Sequence, residues 1–298
     1  MTKGLLIVFG GTGFLGRRIV RRALQEGWVP RVVARHSRAV SFDDSEHVPE
    51  QVITDIRDPE AVARAVRGAA GVVNAVGLYV QNPSERFDTT HVLGAGHVAQ
   101  AAKRASARLV HFSGIGVNRR SPSAYVRSRA LGEERVRDAY PESVILRPSA
   151  LFGPGDALVS AMTPMIKWSP VIPLFGEGGS RIQPVHVDDA ARAAVAALER
   201  ADAAGNTYDL GGPDVFTYRE LWQALAGRLR RRRWFVSVSL RTWKMLAAVG
   251  SLLPRPPITR DQLELVSHDN VVGAEKTFAD LGIDTGSLAR VVDAVENA

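Results

Sequence analysis

The stretch VFGGTGFLGRRIV, residues 8–20, constrains this chain more than any other, because it sets Gly10, Gly13 and Gly16 three apart. The residues leading into it, KGLLIVFG, are an apolar run of the kind buried in a parallel sheet. Leu15, Ile19, Val20, Ala23 and Leu24 follow with arginines between them, and Gly27 closes the pattern, as in an amphipathic helix with a glycine stop. A glycine-rich turn between a buried strand and a helix N-terminus is a place where a pyrophosphate can rest on backbone N–H groups.

The same alternation continues. RVVAR follows the first helix, QVITDI comes next, and PEAVARAVRG is helical. GVVNAVG and RLVHFSG read as further strands with the helical HVLGAGHVAQAAKRA between them, and SVILRPSALFG completes the set. Strand–helix alternation predicts an α/β fold, a Rossmann-type doubly wound parallel sheet with helices on both faces. Residues 1–153 are expected to form this dinucleotide-binding core. Residues 154–298, richer in Pro and Gly at first, are expected to form a smaller α+β lobe that returns some elements to the core, within one continuous globular unit. Open sheets of this kind bind ligands at the carboxyl ends of their strands.

At 298 residues the chain can bury roughly three quarters of its unfolded surface. It has no cysteine, which excludes disulfides, thiolate catalysis and cysteine metal sites and accords with a reducing compartment. The strand before the glycine turn is too short for a secretory signal, and no apolar run reaches the roughly 18 residues of a membrane span. The expected location is therefore cytoplasmic. The net charge is +7, and only five of 38 cationic residues are lysine (Lys3, Lys103, Lys167, Lys244, Lys276), so arginine dominates the basic surface. Such a surface is either simply solvated or attracts anionic cofactors, lipids or partners.

Five motifs in order resemble the short-chain dehydrogenase/reductase superfamily in its extended or atypical branch. They are the Gly10–Gly13–Gly16 spacing, VVNAVG, AYVRSR at the Tyr-x-x-x-Lys position, LRPSALFGPGD, and the pair QPVHVDDAARA and GNTYDLGGPDVFTYRELWQAL. Within it, PVIPLFGEGGSRIQPVHVDDAA with PPITRDQLELVSHDNVVG and LGID resembles the alpha-subcomplex accessory subunit of respiratory complex I and its bacterial relatives.

The resemblance implies a nicotinamide dinucleotide. Gly10 and Gly13, with Thr12, Phe14 and Leu15 around them, would let the backbone approach the pyrophosphate, and Gly16 would let the helix pack on the strand. NAD-binding members end the second strand in Asp or Glu, whereas this chain has Ala34-Arg35-His36-Ser37-Arg38. Arg35 can stack on adenine and pair with a 2′-phosphate, helped by Ser37 and Arg38, or these are solvated loop residues. The expectation is NADP(H) over NAD(H). By resemblance, Asp55 and Ile56 flank the adenine, Asn74, Ala75, Val76 and Gly77 line the cofactor, and Pro148 and Ser149 lie near the nicotinamide. Strand alternation alone would make Val73 and Ala75 plain core.

The resemblance also implies a proton-transfer set, and this chain departs from it. Active members use a Tyr as acid/base, a Lys four residues on, and a Ser or Thr just after the fifth strand. Here Tyr125 is present but its partner is Arg129, which keeps the charge and cannot relay a proton. Ser113 stands one or two positions before the usual hydroxyl, where the chain has Gly114 and Ile115; Ser121 or Ser123 could stand in. The cofactor-holding residues are intact and two of three catalytic positions are altered, which favours cofactor binding with weak or no turnover. Should it turn over, it would be an NAD(P)-dependent oxidoreductase or epimerase using Tyr125 and Arg129.

His186 with Asp188 and Asp189 could be an acid/base or metal cluster, but paired Asp at a helix start more often cap N–H groups and complement the dipole; no metal site is expected. His111, alternating with apolar residues, reads as a buried structural histidine. In the segment 228–257, Arg228 and Arg230 to Arg233 precede Trp234 and Phe235, and Trp243, Met245, Leu246, Val249, Leu252 and Leu253 follow at helical spacing. That combination suits either an anionic membrane surface or a membrane-complex partner, peripheral to the inner face of the membrane, or else a helix packed on its own lobe. No nucleic-acid fold accompanies it, and no nucleic-acid partner is expected.

Overall fold

The computed structural model describes residues 2–37, 48–250, 259–273 and 276–285. Seven parallel strands form the main sheet: β1 (Leu5–Phe9), β2 (Val29–Ala34), β3 (Glu50–Ile53), β4 (Ala69–Asn74), β5 (Arg108–Phe112), β6 (Val144–Pro148) and β7 (Thr207–Leu210). Their spatial order is β7-β6-β5-β4-β1-β2-β3. The chain steps outward from β1 through β3 and then crosses to β4, on the other side of β1. Register pairs Phe9 with both Val33 and Asn74, so β1, β2 and β4 end level with one another. A crevice opens at that reversal of strand order, beyond the carboxyl ends of the strands.

The unbroken apolar run of β1 has a direct cause. Leu6 and Val8 face one layer, built on α1 (Phe14–Gln25) and, later in the chain, the helix Val187–Glu199. Ile7 and Phe9 face the other, built on α2 (Pro59–Ala65), α3 (Ala95–Arg104) and Val136 of α4 (Ala124–Ala139). These four side chains are fully buried, so neither face can be polar there. The helix containing α3 begins earlier than its apolar pattern, with one wide turn over Asp88–Gly94.

Beyond residue 153 come α5 (Ala157–Trp168), α6 (the Val187–Glu199 helix), α7 (Tyr218–Arg228), α8 (Leu240–Gly250) and α9 (Arg260–Val266). Here α6 packs along α1, and β7 pairs with β6, so both return to the main sheet. A separate core joins Met162 and Ile166 of α5, Leu221, Trp222 and Leu225 of α7, and Ile172 and Leu174 of a two-stranded parallel ribbon, Val171–Phe175 with Trp234–Val238. Among the described residues, no helix is long and apolar enough to cross a membrane.

Candidate functional site

The glycine turn is built to bring backbone close to backbone. Gly10 has φ +77°, in the left-handed region, and its N–H donates to Val33 O at 2.8 Å. A Cβ on Gly16 would stand 2.0 Å from Gly10 O, so α1 can start here only without a side chain. Gly13 is the N-cap of α1 and offers no capping side chain, and the first turn of α1 holds no acidic residue. By contrast Asp58, Ser123, Asp156, Thr217 and Thr259 cap α2, α4, α5, α7 and α9 with their own oxygens. The N–H groups and positive dipole end of α1 are thus left to an anion from outside the chain.

A cavity of about 470 Å³ lies over this turn. Of the residues singled out in the sequence, Gly10, Thr12, Gly13, Arg35, Ser37, Asp55, Ile56, Ala75, Val76 and Gly77 line it. Ala75 therefore faces the cavity, whereas Val73 is core. Others serve from behind: Leu15 packs into the α1 layer, and Arg17 stands 5.9 Å over the Phe14 ring. Asn74 is buried, accepting from Val76 N–H at 3.2 Å and bonding His111 Nδ1 at 3.2 Å. Arg38 lies outside the described residues. Ser149 Oγ donates to Asn270 O at 2.8 Å, and Pro148 O accepts from Ile115 N–H at 3.1 Å, so both are tied to other chain segments and neither lines the cavity.

Two charged residues on the wall, Arg57 and Glu85, went unnamed in the sequence, as did the polar Thr54 and Thr90, and His36 was given no role. Arg57 grips both oxygens of Asp55, and this hydrogen bonding holds the Asp55 carboxyl below its usual range. Glu85 pairs with Arg35. The Asp-x-Arg spacing of 55 and 57 was a visible signal; Glu85, far along the chain from its partner, left none.

The expected proton-transfer residues do not line this cavity; they gather beside Gly77 around Tyr125, on the first turn of α4. Its ring stacks on Tyr79 (centroids 5.7 Å apart) and meets the edges of Phe87 and His91 at 5.6 and 5.7 Å. Arg129, one turn on, is buried with its guanidinium carbon 5.6 Å from the centre of that ring and Nη1 donating to Phe112 O at 3.2 Å. Gly77 makes room for it, since a Cβ there would stand 2.7 Å from Arg129 Nη2. Leu78 N–H donates to His91 Nε2 at 3.0 Å, His91 Nδ1 meets Ser128 Oγ at 2.8 Å, and Ser128 Oγ donates to Tyr125 O at 2.8 Å. That chain fixes a neutral His91 with its proton on Nδ1. Burial, then the nearby Arg129 and His111, pushes its pKa down to about 2.

Ser113 continues the sheet, with its N–H on Leu146 O at 2.8 Å. Its Oγ and Arg129 Nε are each buried without a hydrogen-bond partner among the described residues. The alternatives are committed elsewhere: Ser123 Oγ caps α4 and donates to Asp261 at 2.6 Å, and Ser121 Oγ accepts from Ser123 N–H at 3.2 Å. Of the two roles expected for the Asp pair, capping α6 needs correction, while the place in its first turn agrees with complementing the dipole. His186 is the cap, its Nδ1 accepting from Asp188 N–H at 3.3 Å, while Asp188 and Asp189 sit inside the first turn, where carboxylates complement the dipole.

The profile of the NAD dependent epimerase/dehydratase family matches residues 6–211, from β1 through β7. The chain belongs to this family. Its members bind nicotinamide dinucleotides, which fits the glycine turn and the uncapped α1. The chain is 37% identical over 194 residues to a ceramide reductase of Caulobacter vibrioides, covering 65% of this chain and 61% of that protein. It is 32% identical over 283 residues to the mitochondrial NADH dehydrogenase [ubiquinone] 1 alpha subcomplex subunit 9 of Arabidopsis thaliana, covering 89% of this chain and 70% of that one. The structure of DesIV, a dTDP-glucose 4,6-dehydratase from Streptomyces venezuelae, superposes with a TM-score of 0.76 at 23% identity over 98% of this chain and 97% of its own, a likeness of fold.

Proposed function

We propose that this chain holds NADP(H) in a structural or redox-sensing role within a membrane-associated electron-transfer complex, like the complex I accessory subunit, with weak or no turnover. The observation that carries it is Arg129. A guanidinium keeps its proton throughout the accessible pH range, so the group beside Tyr125 supplies charge and shape but no proton. It is also enclosed by Phe112, Gly77 and the Tyr125 ring, where it braces the cofactor wall. Arg35, in place of an acidic residue at the end of β2, supports NADP(H). The alpha-subcomplex relative supports the setting.

The lobe supports a docked state. On the ribbon and the helix before it, Trp168 and Trp234 are 85% and 77% exposed, with Val171 and Val236 exposed nearby. Met245, Leu246 and Val249 are exposed on α8, while Trp243 is tucked in, its Nε1–H donating to Leu174 O at 3.0 Å. Arg230 to Arg232, Arg241 and Lys244 are exposed around them. Leu252 and Leu253 lie outside the described residues. Aromatic and aliphatic groups ringed by cations match a membrane-complex partner or an anionic membrane surface. The double variant Trp168→Ser/Trp234→Ser is expected to move the protein from the membrane pellet to the soluble fraction of gently lysed native cells. A wild-type protein found wholly in the soluble fraction would sink the docking reading.

The cofactor reading is tested by the release rate of NADPH, followed by its fluorescence on displacement with excess NADH. Release over minutes is the expected result. Release faster than about 10 s⁻¹, a typical turnover rate, would overturn it, because an enzyme must let its nucleotide go at least that fast.

A second reading is favoured by the intact Tyr125 under a buried cation and by the ceramide reductase relative: an NADP-dependent reductase or epimerase acting on a quinone-type, isoprenoid or nucleotide-sugar substrate. The nicotinamide would supply the hydride and Tyr125 the proton. Tyr125→Phe should then cost at least about 100-fold in turnover of such a substrate.

A further inference from the structure

The turn Asn82 to Glu85 stands at the adenosine end of the cavity, and two arginines from the opposite wall hold it. Arg57 Nη1 donates to Ser84 O at 2.7 Å, and Arg35 pairs with one carboxylate oxygen of Glu85. The other Glu85 oxygen accepts from Asn82 Nδ2 at 2.7 Å, and reciprocal backbone bonds of 3.0 and 3.2 Å between Asn82 and Glu85 close the turn. Glu85 is therefore preset by its own turn to face Arg35.

The balance of charge at this end makes the pairing consequential. Among the described residues lining it, Arg57 is gripped by Asp55 and Arg35 by Glu85, so the two cations and two carboxylates cancel. The absence of an acidic residue at the end of β2, which favours a 2′-phosphate, is offset by a carboxylate delivered from the loop after β4. A ribose 2′-phosphate carries between one and two negative charges, and at Arg35 it would share the guanidinium with the Glu85 carboxylate, which already holds Nη1.

We infer that Glu85 sets the coenzyme selectivity of this site. Its carboxylate holds Arg35 as an internal rival of the 2′-phosphate, so NADP(H) binds in competition with it, while NAD(H), with only a hydroxyl there, leaves the pair closed. This rests on the reading of Arg35 as the phosphate ligand. The rivalry is moderate in size. A half-exposed ion pair contributes up to about a factor of five, and the repulsion between carboxylate and phosphate adds to it, giving roughly tenfold in all.

The test is fluorescence titration of NADPH and of NADH into the wild-type protein, Glu85→Gln, Arg35→Ala and the double variant. Glu85→Gln is expected to tighten NADPH roughly tenfold and to leave NADH within about twofold, and the gain should vanish when Arg35 is also replaced. Unchanged NADPH affinity in Glu85→Gln, or a gain that persists without Arg35, would overturn the inference. So would a roughly tenfold loss of NADH affinity, which would make Glu85 a ribose ligand instead. A wild-type preference for NADH would overturn the NADP(H) reading by itself. A tenfold NADPH gain in Glu85→Gln would even then identify Glu85 as the cause of that preference.

Discussion

Gly16→Ala is expected to lower the unfolding free energy by about 3 kcal/mol and to abolish measurable nucleotide binding. The new Cβ would lie 2.0 Å from Gly10 O and 2.7 Å from the Gly11 Cα, and both obstacles are backbone. A flexible side chain could swing aside; a turn fixed by Gly10 N–H on Val33 O and Gly13 N–H on Gly10 O cannot do so without giving up those bonds. Relief would come from α1 lifting off β1, which separates the helix N-terminus from the crevice and opens the packing of Ile19 and Val20 together. Gly227 is the control. It lies in α7 with an ordinary φ, and a methyl group added there would meet nothing within 4 Å. Gly227→Ala should therefore be neutral or stabilise by about 0.5–1 kcal/mol through helix propensity. Chemical denaturation of both variants with NADPH titration checks the pair. Wild-type stability and binding in Gly16→Ala would mean that the turn is not built as described.

That contrast shows which parts of this fold are legible in a sequence. Three glycines after five apolar residues admit one local solution, because strand burial, turn and helix start all depend on the same atoms. The two-faced burial of Leu6 to Phe9 follows from the absence of any polar residue in the run. The lobe offered no such agreement. Trp234–Val238 begins after five arginines among six residues and reads as a basic surface run, yet it pairs in register with Val171–Phe175. Nothing local specifies that pairing; Ile172, Leu174 and Phe235 find their core only when α5 and α7 are already in place.

The site divides the same way. Its glycines, Arg35, Tyr125 and Arg129 are motif positions and could be named from spacing. Glu85, Asp261 and Asn270 act across 50, 138 and 121 residues on Arg35, Ser123 and Ser149, and their partners are set by folding alone. His91 belongs to this second class. In sequence it is a polar residue opening an apolar helix pattern, whereas in the structure it is the joint between the cavity loop at Leu78 and the helix of Tyr125.

The buried histidines give the steepest expected pH dependence. Burial first, then Arg129 beside both of them, holds His91 near a pKa of about 2 and His111 near about 3, where an unfolded chain has 6.5. The folded values are depressed, so the unfolded state binds more protons between them and pH 6.5. The stability is fully present above 6.5 and is lost as pH falls toward the folded values. Each histidine then removes about 1.4 kcal/mol per pH unit, or roughly 5 kcal/mol for the two by pH 4.5, as much as the whole stability of a marginal domain. Lowered carboxyls such as Asp55 and Asp269 act only from the ordinary carboxylate range downward, whereas Asp156, raised by burial, acts above that range in the opposite sense, one group against two histidines. Denaturant midpoints across that interval should fall steeply, and His91→Asn or His111→Asn should each remove about half of the slope while lowering stability at pH 7. Midpoints that stay level from pH 6.5 to 4.5 would mean that the two rings protonate without unfolding. The neutral pair would then not be a condition of holding Arg129 where it is.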